Sequence, residues 1–293
     1  MAFSEVRKNF LTAEGERRLM GLRFVMLGSG AVRDNPNRGG PAQILQVGDR
    51  VLMFDCGRSA STNLARAGVG CEAVDTLFLT HLHFDHIVDV PYMVFVGWVK
   101  GRREKLRIFG PVGTVDFVTR IIRPPFEQDI QSRVAHGKDV SALHPEVVQV
   151  DREGKFLAVE GYRVAAAFTD HGGIPTLVYR VDAGEHRVVI TGDGTPDERF
   201  VAFCRGADLL AIECSGTPEF LAQQPWGHWH ITPADIARIA TEAEVKRVVI
   251  KHLVMEDVTG DRTAAYRMAE EIRGGYEGEV MVGEDGMVVE IGK

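Results

Sequence analysis

The 293-residue sequence is poor in cysteine, in basic charge and in long apolar runs. Its four cysteines, Cys56, Cys71, Cys204 and Cys214, are scattered and form no CxxC pair, which argues against a disulfide framework. Reduced, mostly buried thiols in a cytoplasmic protein are the expectation. Lysine and arginine (34) are outnumbered by aspartate and glutamate (41), giving a net charge of −7. A sequence-blind nucleic-acid binder would show the opposite surplus or a basic stripe. The densest basic run, Lys100–Lys105, is short and reads as a solvated helix end. No apolar run approaches the roughly 18–20 residues needed to span a bilayer. Met1–Met20 is charged and has no apolar core of the kind a signal peptide carries. No membrane partner is expected.

What is present is an ordinary globular composition, 45% hydrophobic and 26% charged, long enough to bury a full core. Strand-like segments are expected at Leu22–Leu27, Gln43–Val47, Arg50–Asp55 and Thr76–Thr80, with Gly48-Asp49 as a hairpin turn. Helices are expected at Ser59–Ala67, Ile87–Lys100 and Thr114–Ile122, the last stopped by Pro124-Pro125. A second set of strands follows at Arg163–Phe168, Thr176–Val181, Arg187–Thr191 and Leu209–Ile212. Thr232-Pro233-Ala234-Asp235 opens a helix with an N-cap threonine, proline at the first position and an early acid. It precedes a strand at Arg247–Ile250, a helix at Thr263–Arg273 and closing strands near Val280–Val282 and Met287–Ile291. Two β-rich halves, each covered by helices on its outer face, are the expected architecture.

Chemistry concentrates in FLTHLHFDH, where His81, His83, Asp85 and His86 follow a buried strand. Two histidines at i and i+2 on a tight loop can point at one metal, and the adjoining Asp and His at a second. A single histidine would often be structural; four metal-competent side chains in six residues are not. RVAAAFTDH ends at His171, RVVITGD at Asp193 and RVVIKH at His252. Each is an apolar strand delivering one ligand-type residue from its carboxyl end, where sites form in layered α/β proteins. Four strands thus aim seven residues at one place, a number that fits two metal ions sharing a carboxylate.

LGSGAVRDNPNRGGPAQIL, MFDCG, FLTHLHFDH, IFGPVGT, TGDGTP and HITPADIARIATEAEVKRVVIKH together resemble the motifs of the metallo-β-lactamase-fold hydrolases. The likeness covers most of the chain and is greatest to the ribonuclease Z and arylsulfatase-like branch. It implies a single-domain, four-layer αββα sandwich over residues 21–293, preceded by an extension over 1–20. By the same resemblance His81, His83 and His171 hold a first metal. Asp85, His86 and His252 hold a second, and Asp193 bridges the two. The ions implied are zinc, with manganese or iron as alternatives. Asp55 matches the acid that orients the histidine loop. Glu213 and His230 match a pair that delivers a proton to the leaving group, so that Asp85, His230 and Glu213 carry the catalytic roles alongside a metal-bound hydroxide.

Phe84, Tyr92, Trp226, His228 and Trp229 are candidates for the lining of an apolar substrate pocket. Gly28–Arg33, which lacks the third glycine of GxGxxG, reads as a tight turn on the rim of the site. Long bacterial ribonuclease Z enzymes insert a tRNA-clamping arm between the positions matching His171 and Asp193, whereas here only a hairpin joins them. A small-molecule phosphodiester or related ester, such as an aryl sulfate or lactone, is therefore the first choice of substrate. tRNA 3′ processing without the arm is the alternative, and an oxygen-using enzyme on the same fold is the alternative of another class. A homodimer is compatible with the resemblance.

Overall fold

The computed structural model describes residues 21–159, 161–255 and 262–292; the extension expected over 1–20 lies outside them. β1 (Leu22–Gly28), β2 (Ala42–Val47) and β3 (Arg50–Phe54) form an antiparallel meander. β4 (Thr76–Phe78), β5 (Arg107–Gly110) and β6 (Glu146–Gln149) continue from β3 in parallel. The second sheet begins as an antiparallel run of β7 (Gly154–Val159), β8 (Tyr162–His171), β9 (Ile174–Ala183) and β10 (His186–Ile190). It continues in parallel through β11 (Leu209–Glu213), β12 (Arg247–Lys251) and β13 (Glu279–Val282). β14 (Val288–Ile291) returns to the first sheet beside β1, so that each sheet has seven strands.

The helices are α1 (Ala60–Arg66), α2 (Phe84–Ile87), α3 (Val90–Val99), α4 (Thr114–Ile122), α5 (Glu127–Ala135), α6 (Arg199–Cys204), α7 (Pro218–Ala222), α8 (Pro233–Glu242) and α9 (Thr263–Gly275). The period-2 alternation of a strand assigns its two faces to two different layers. In β1, Leu22, Phe24 and Met26 enter the core between the sheets, with Tyr179 and Ile190. Val25 and Leu27 point the other way, into a core with Leu64 of α1 and Met93 and Trp98 of α3. The second sheet does the same, its outer core formed with Phe200 of α6, Ile236 of α8 and Met268 of α9. Strands covered on both faces read as continuous apolar runs, and the result is the four-layer sandwich that the sequence leads one to expect. All four cysteines are buried and free.

Two local features of the expected elements depart most clearly from the expectations. The helix expected over Ile87–Lys100 is broken between α2 and α3. Pro91 lacks an N–H and is tolerated only in a first turn, so a new helix starts at Val90. The strand expected to stop at Phe168 runs on to His171, which pairs with Ile174 across a two-residue turn. Gly172 and Gly173 form that turn with φ of +62° and +83°, which glycine adopts without strain. The segment Gly28–Arg33, expected as a turn, also meets a carboxylate of the protein's own through Ser29: Asp285 accepts hydrogen bonds from the Ser29 amide (2.9 Å) and, outside that segment, from the Gly39 amide (2.6 Å) and Asn63 Nδ2 (3.0 Å).

Candidate metal centre

The carboxyl ends of β3, β4, β8, β11 and β12, with the segment after β10, deliver the polar residues to one edge of the sandwich. Asp55 follows β3 and adopts φ of +55°; His252 follows β12 and adopts φ of +58°. These are left-handed conformations that L residues rarely take, and strain of this kind concentrates at functional sites. Asp55 is fully buried and accepts from the Thr80 amide (2.8 Å) and the Thr80 hydroxyl (2.9 Å). His86 Nδ1 donates to the same carboxylate at 2.9 Å.

This acid sets a chain of tautomers. Thr80 Oγ1, donating to Asp55, is left to accept from His81 Nδ1 at 3.0 Å. With their Nδ1 protons committed, His81 and His86 present Nε2 lone pairs inward. Ser215 does the equivalent work across the site: its hydroxyl donates to Glu213 Oε2 (2.8 Å) and lies 3.0 Å from His252 Nδ1. His171 Nδ1 faces the Trp229 carbonyl at 3.4 Å. His83 is the exception, turning Nδ1 inward, 3.0 Å from His81 Nε2 and 3.3 Å from His171 Nε2.

At the centre is one oxygen. Asp193 Oδ2 lies 3.8 Å from His81 Nε2, 3.5 Å from His86 Nε2, 3.9 Å from His171 Nε2 and 3.0 Å from His252 Nε2. Asp85 Oδ2 is 3.8 Å from His86 Nε2 and 3.5 Å from His252 Nε2. Among the described residues the donors fall into three overlapping groups: His81, His83, His171 and Asp193; Asp85, His86 and His252; and Asp193 and His252 again with His230. Nitrogens bound tetrahedrally to zinc would stand about 3.3 Å apart, close to the spacings among His81, His83 and His171. Asp193 Oδ1, His86 Nε2 and His252 Nε2 are buried without a hydrogen-bond partner. Buried, unpartnered ligand atoms of the right chemistry around one point are what a bound metal ion would satisfy. The residues fit.

Electrostatics agree with the geometry. Burial works against the Asp193 carboxylate, but His252, His86 and His81 overcome it and hold its pKa well below the usual range. Burial lowers the pKa of His81, His83 and His171, favouring the neutral imidazoles that metals bind. His86 is opposed by burial yet pushed up to about 10 by Asp193 and Asp55, an excess of negative charge that a bound cation would offset.

Beside the donor set stands a second pair. His230 Nδ1 lies 3.0 Å from Glu213 Oε1 and 3.0 Å from Ser215 Oγ, with Glu213 almost fully buried. Burial lowers the His230 pKa, but Glu213 outweighs it and raises the value to about 9. Of the expected pocket residues, Phe84 and Tyr92 are largely exposed. Trp226 packs its ring edge-on to His230 at 5.1 Å. Trp229 is 37% exposed. His228 is exposed, 4.9 Å from the Trp229 ring, and belongs to no donor group. Sequence reasoning missed Thr80 and Ser215. Their signal was available in principle, since each is a small hydroxyl residue one or two positions from a charged site residue.

The model of the metallo-β-lactamase superfamily matches residues 38–202. Ribonuclease Z of Mycobacterium avium (strain 104) is 30% identical over 280 residues, covering 90% of this chain and 96% of that one. Among solved structures, the metallo-β-lactamase-fold protein YhfI of Bacillus subtilis superposes with a TM-score of 0.74 at 22% identity, over 92% of this chain and 99% of that one. The short form of human tRNase Z superposes with a TM-score of 0.70 at 24% identity, over 92% and 100% of the two chains. At such identities the two structures speak for the fold.

Proposed function

The chain belongs to the metallo-β-lactamase superfamily and is a metal-dependent hydrolase of it; from that premise we propose that it cleaves phosphodiesters at a centre of two divalent ions, with RNA 3′ ends as the substrate class. The observation that carries the reading is the Glu213–His230 pair set beside the Asp193-centred donors. The substrate class rests on a relative named ribonuclease Z that aligns over nearly its whole length.

His81, His83 and His171 would hold one ion and Asp85, His86 and His252 the other, with Asp193 within reach of both groups. Zinc suits this nitrogen-rich set. Bound metal ions supply Lewis-acid polarisation of a phosphoryl oxygen and activation of water at neutral pH. The rest is done by this chain. Asp55, Thr80 and Ser215 fix which nitrogen of His86, His81 and His252 faces the donor centre. Glu213 anchors His230 Nδ1, leaving Nε2 to give a proton to the departing ribose oxygen, a poor leaving group without one.

The small-molecule ester comes second, favoured by the tight Gly172–Gly173 turn, which leaves no arm after His171. The missing arm separates the readings less than it seems from the sequence. The Mycobacterium avium ribonuclease Z aligns over 96% of its length with 90% of this chain, so the two are of similar size.

The test compares a precursor tRNA carrying a 3′ trailer with bis(p-nitrophenyl) phosphate, whose leaving group needs no proton. His230→Ala is expected to slow RNA cleavage by about 10²–10⁴-fold and the p-nitrophenyl diester by far less. Cleavage of the small diester with none of the RNA would replace the RNA reading by the small-molecule one. Cleavage of neither would remove the phosphodiesterase reading.

A further inference from the structure

We propose that Trp229 is a specificity-determining residue whose exposed indole is the surface on which an aromatic or heterocyclic group of the substrate stacks; this rests on the phosphodiesterase reading above. The sequence Trp226-Gly227-His228-Trp229-His230 places two indoles three residues apart around a tight turn. Trp229 N–H donates to the Trp226 carbonyl (3.0 Å) and His230 N–H to the Gly227 carbonyl (3.2 Å), the i to i+3 pattern of a single 3-10 turn.

The two indoles have different fates. Trp226 turns inward, 6.0 Å from Phe220 and 5.1 Å from His230 between ring centroids. Trp229 remains more than a third exposed although it is a large apolar side chain beside a polar centre. Its position is fixed from beneath. A Cβ at Gly172 would fall 2.7–2.9 Å from Cδ2, Cε2 and Cε3 of the indole, so the ring lies against the bare backbone of the β8–β9 turn. The same residue's carbonyl receives His171 Nδ1. An indole plane is thus held one residue from His171 and one residue from His230, the candidate metal donor and the candidate proton donor.

A flat, part-exposed aromatic packed against the turn that follows His171 and adjacent in sequence to His230 is suited to stack a nucleobase or aryl group. Stacking of this kind is tolerant of sequence, because every base has a π face. It would give an acidic protein a hold on RNA that does not depend on a basic arm. The competing role is structural, a brace for His171, and zinc content separates it from stacking.

Phenyl phosphate and methyl phosphate present the same phosphoryl group and differ in the part that can stack. Their binding to the zinc-loaded protein is to be measured by calorimetry for the wild type, Trp229→Ala and Trp229→Phe, with zinc content measured alongside. The wild type is expected to prefer phenyl phosphate. Trp229→Ala should weaken phenyl phosphate about tenfold and leave methyl phosphate within about twofold, with Trp229→Phe recovering most of the loss. Equal affinity of the wild type for the two ligands would overturn the proposal. So would a parallel loss of both in Trp229→Ala, or a fall in zinc content that accounts for the loss. Binding is read without turnover, so wild-type turnover of bis(p-nitrophenyl) phosphate judges the phosphodiesterase reading separately.

Discussion

The oxygen of Asp193 that faces four imidazole nitrogens is the residue-scale heart of the account. Asp193→Ala is expected to lower the metal content of the purified protein and to reduce diester turnover by more than about 100-fold, since even groups behind metal ligands are worth 10–100-fold. Elemental analysis beside a rate measurement checks this. Asp55→Ala should leave the donors in place but free the Thr80 and His86 side chains, weakening zinc affinity by about 10–100-fold; competition against a chelator reads the change. The donors themselves were legible because each follows an apolar strand, and strand ends of one sheet edge meet in space. Of the residues that orient them, Asp55 stood out in MFDCG, whereas Thr80, Ser215 and the Trp229 carbonyl act through hydrogen bonds that only the folded geometry defines.

Elements were read well where one period dominated and poorly where two principles competed. β1, β2, β11 and β12 follow their apolar runs, and α8 starts where Thr232 caps it, Oγ1 accepting from the Asp235 amide at 3.2 Å. Removing that cap by Thr232→Ala should cost about 1 kcal/mol, read as a lower urea midpoint with unchanged zinc content. The single long helix expected over Ile87–Lys100 ignored Pro91, whose missing N–H restarts the helix. α5 and β6 were missed because their charged or part-exposed segments lack an apolar stripe. The joint of β10 and β11 supplies a pH test. Burial opposes ionisation of Asp208, but Lys246 Nζ (2.7 Å) and the Arg187 amide (2.8 Å) lower its pKa in the folded protein. A depressed carboxylate stabilises the fold above its unfolded pKa, and this contribution disappears as pH falls through the folded value. Asp208→Asn should therefore be less stable than wild type by about 1 kcal/mol at pH 7, the gap closing below about pH 4. Denaturant melts at the two pH values measure it.

On the scale of the whole molecule, two sheets with helices outside them bring distant segments to one edge, from Asp55 to His252. The architecture was legible because strands covered on both faces read as continuous apolar runs. The substrate was not, because RNA and small esters share the metal chemistry and differ in surfaces that a negative net charge and a tight turn describe only loosely. Metal binding to the folded chain alone must stabilise it, so removal of metal should lower the melting temperature and zinc should restore it. The most direct measurement is a calorimetric titration of metal-free protein with zinc, with diester turnover followed at each addition. Two ions per chain, with turnover appearing as the sites fill and both lost in Asp193→Ala, is the predicted result; no zinc binding, or turnover undiminished without metal, would contradict the account.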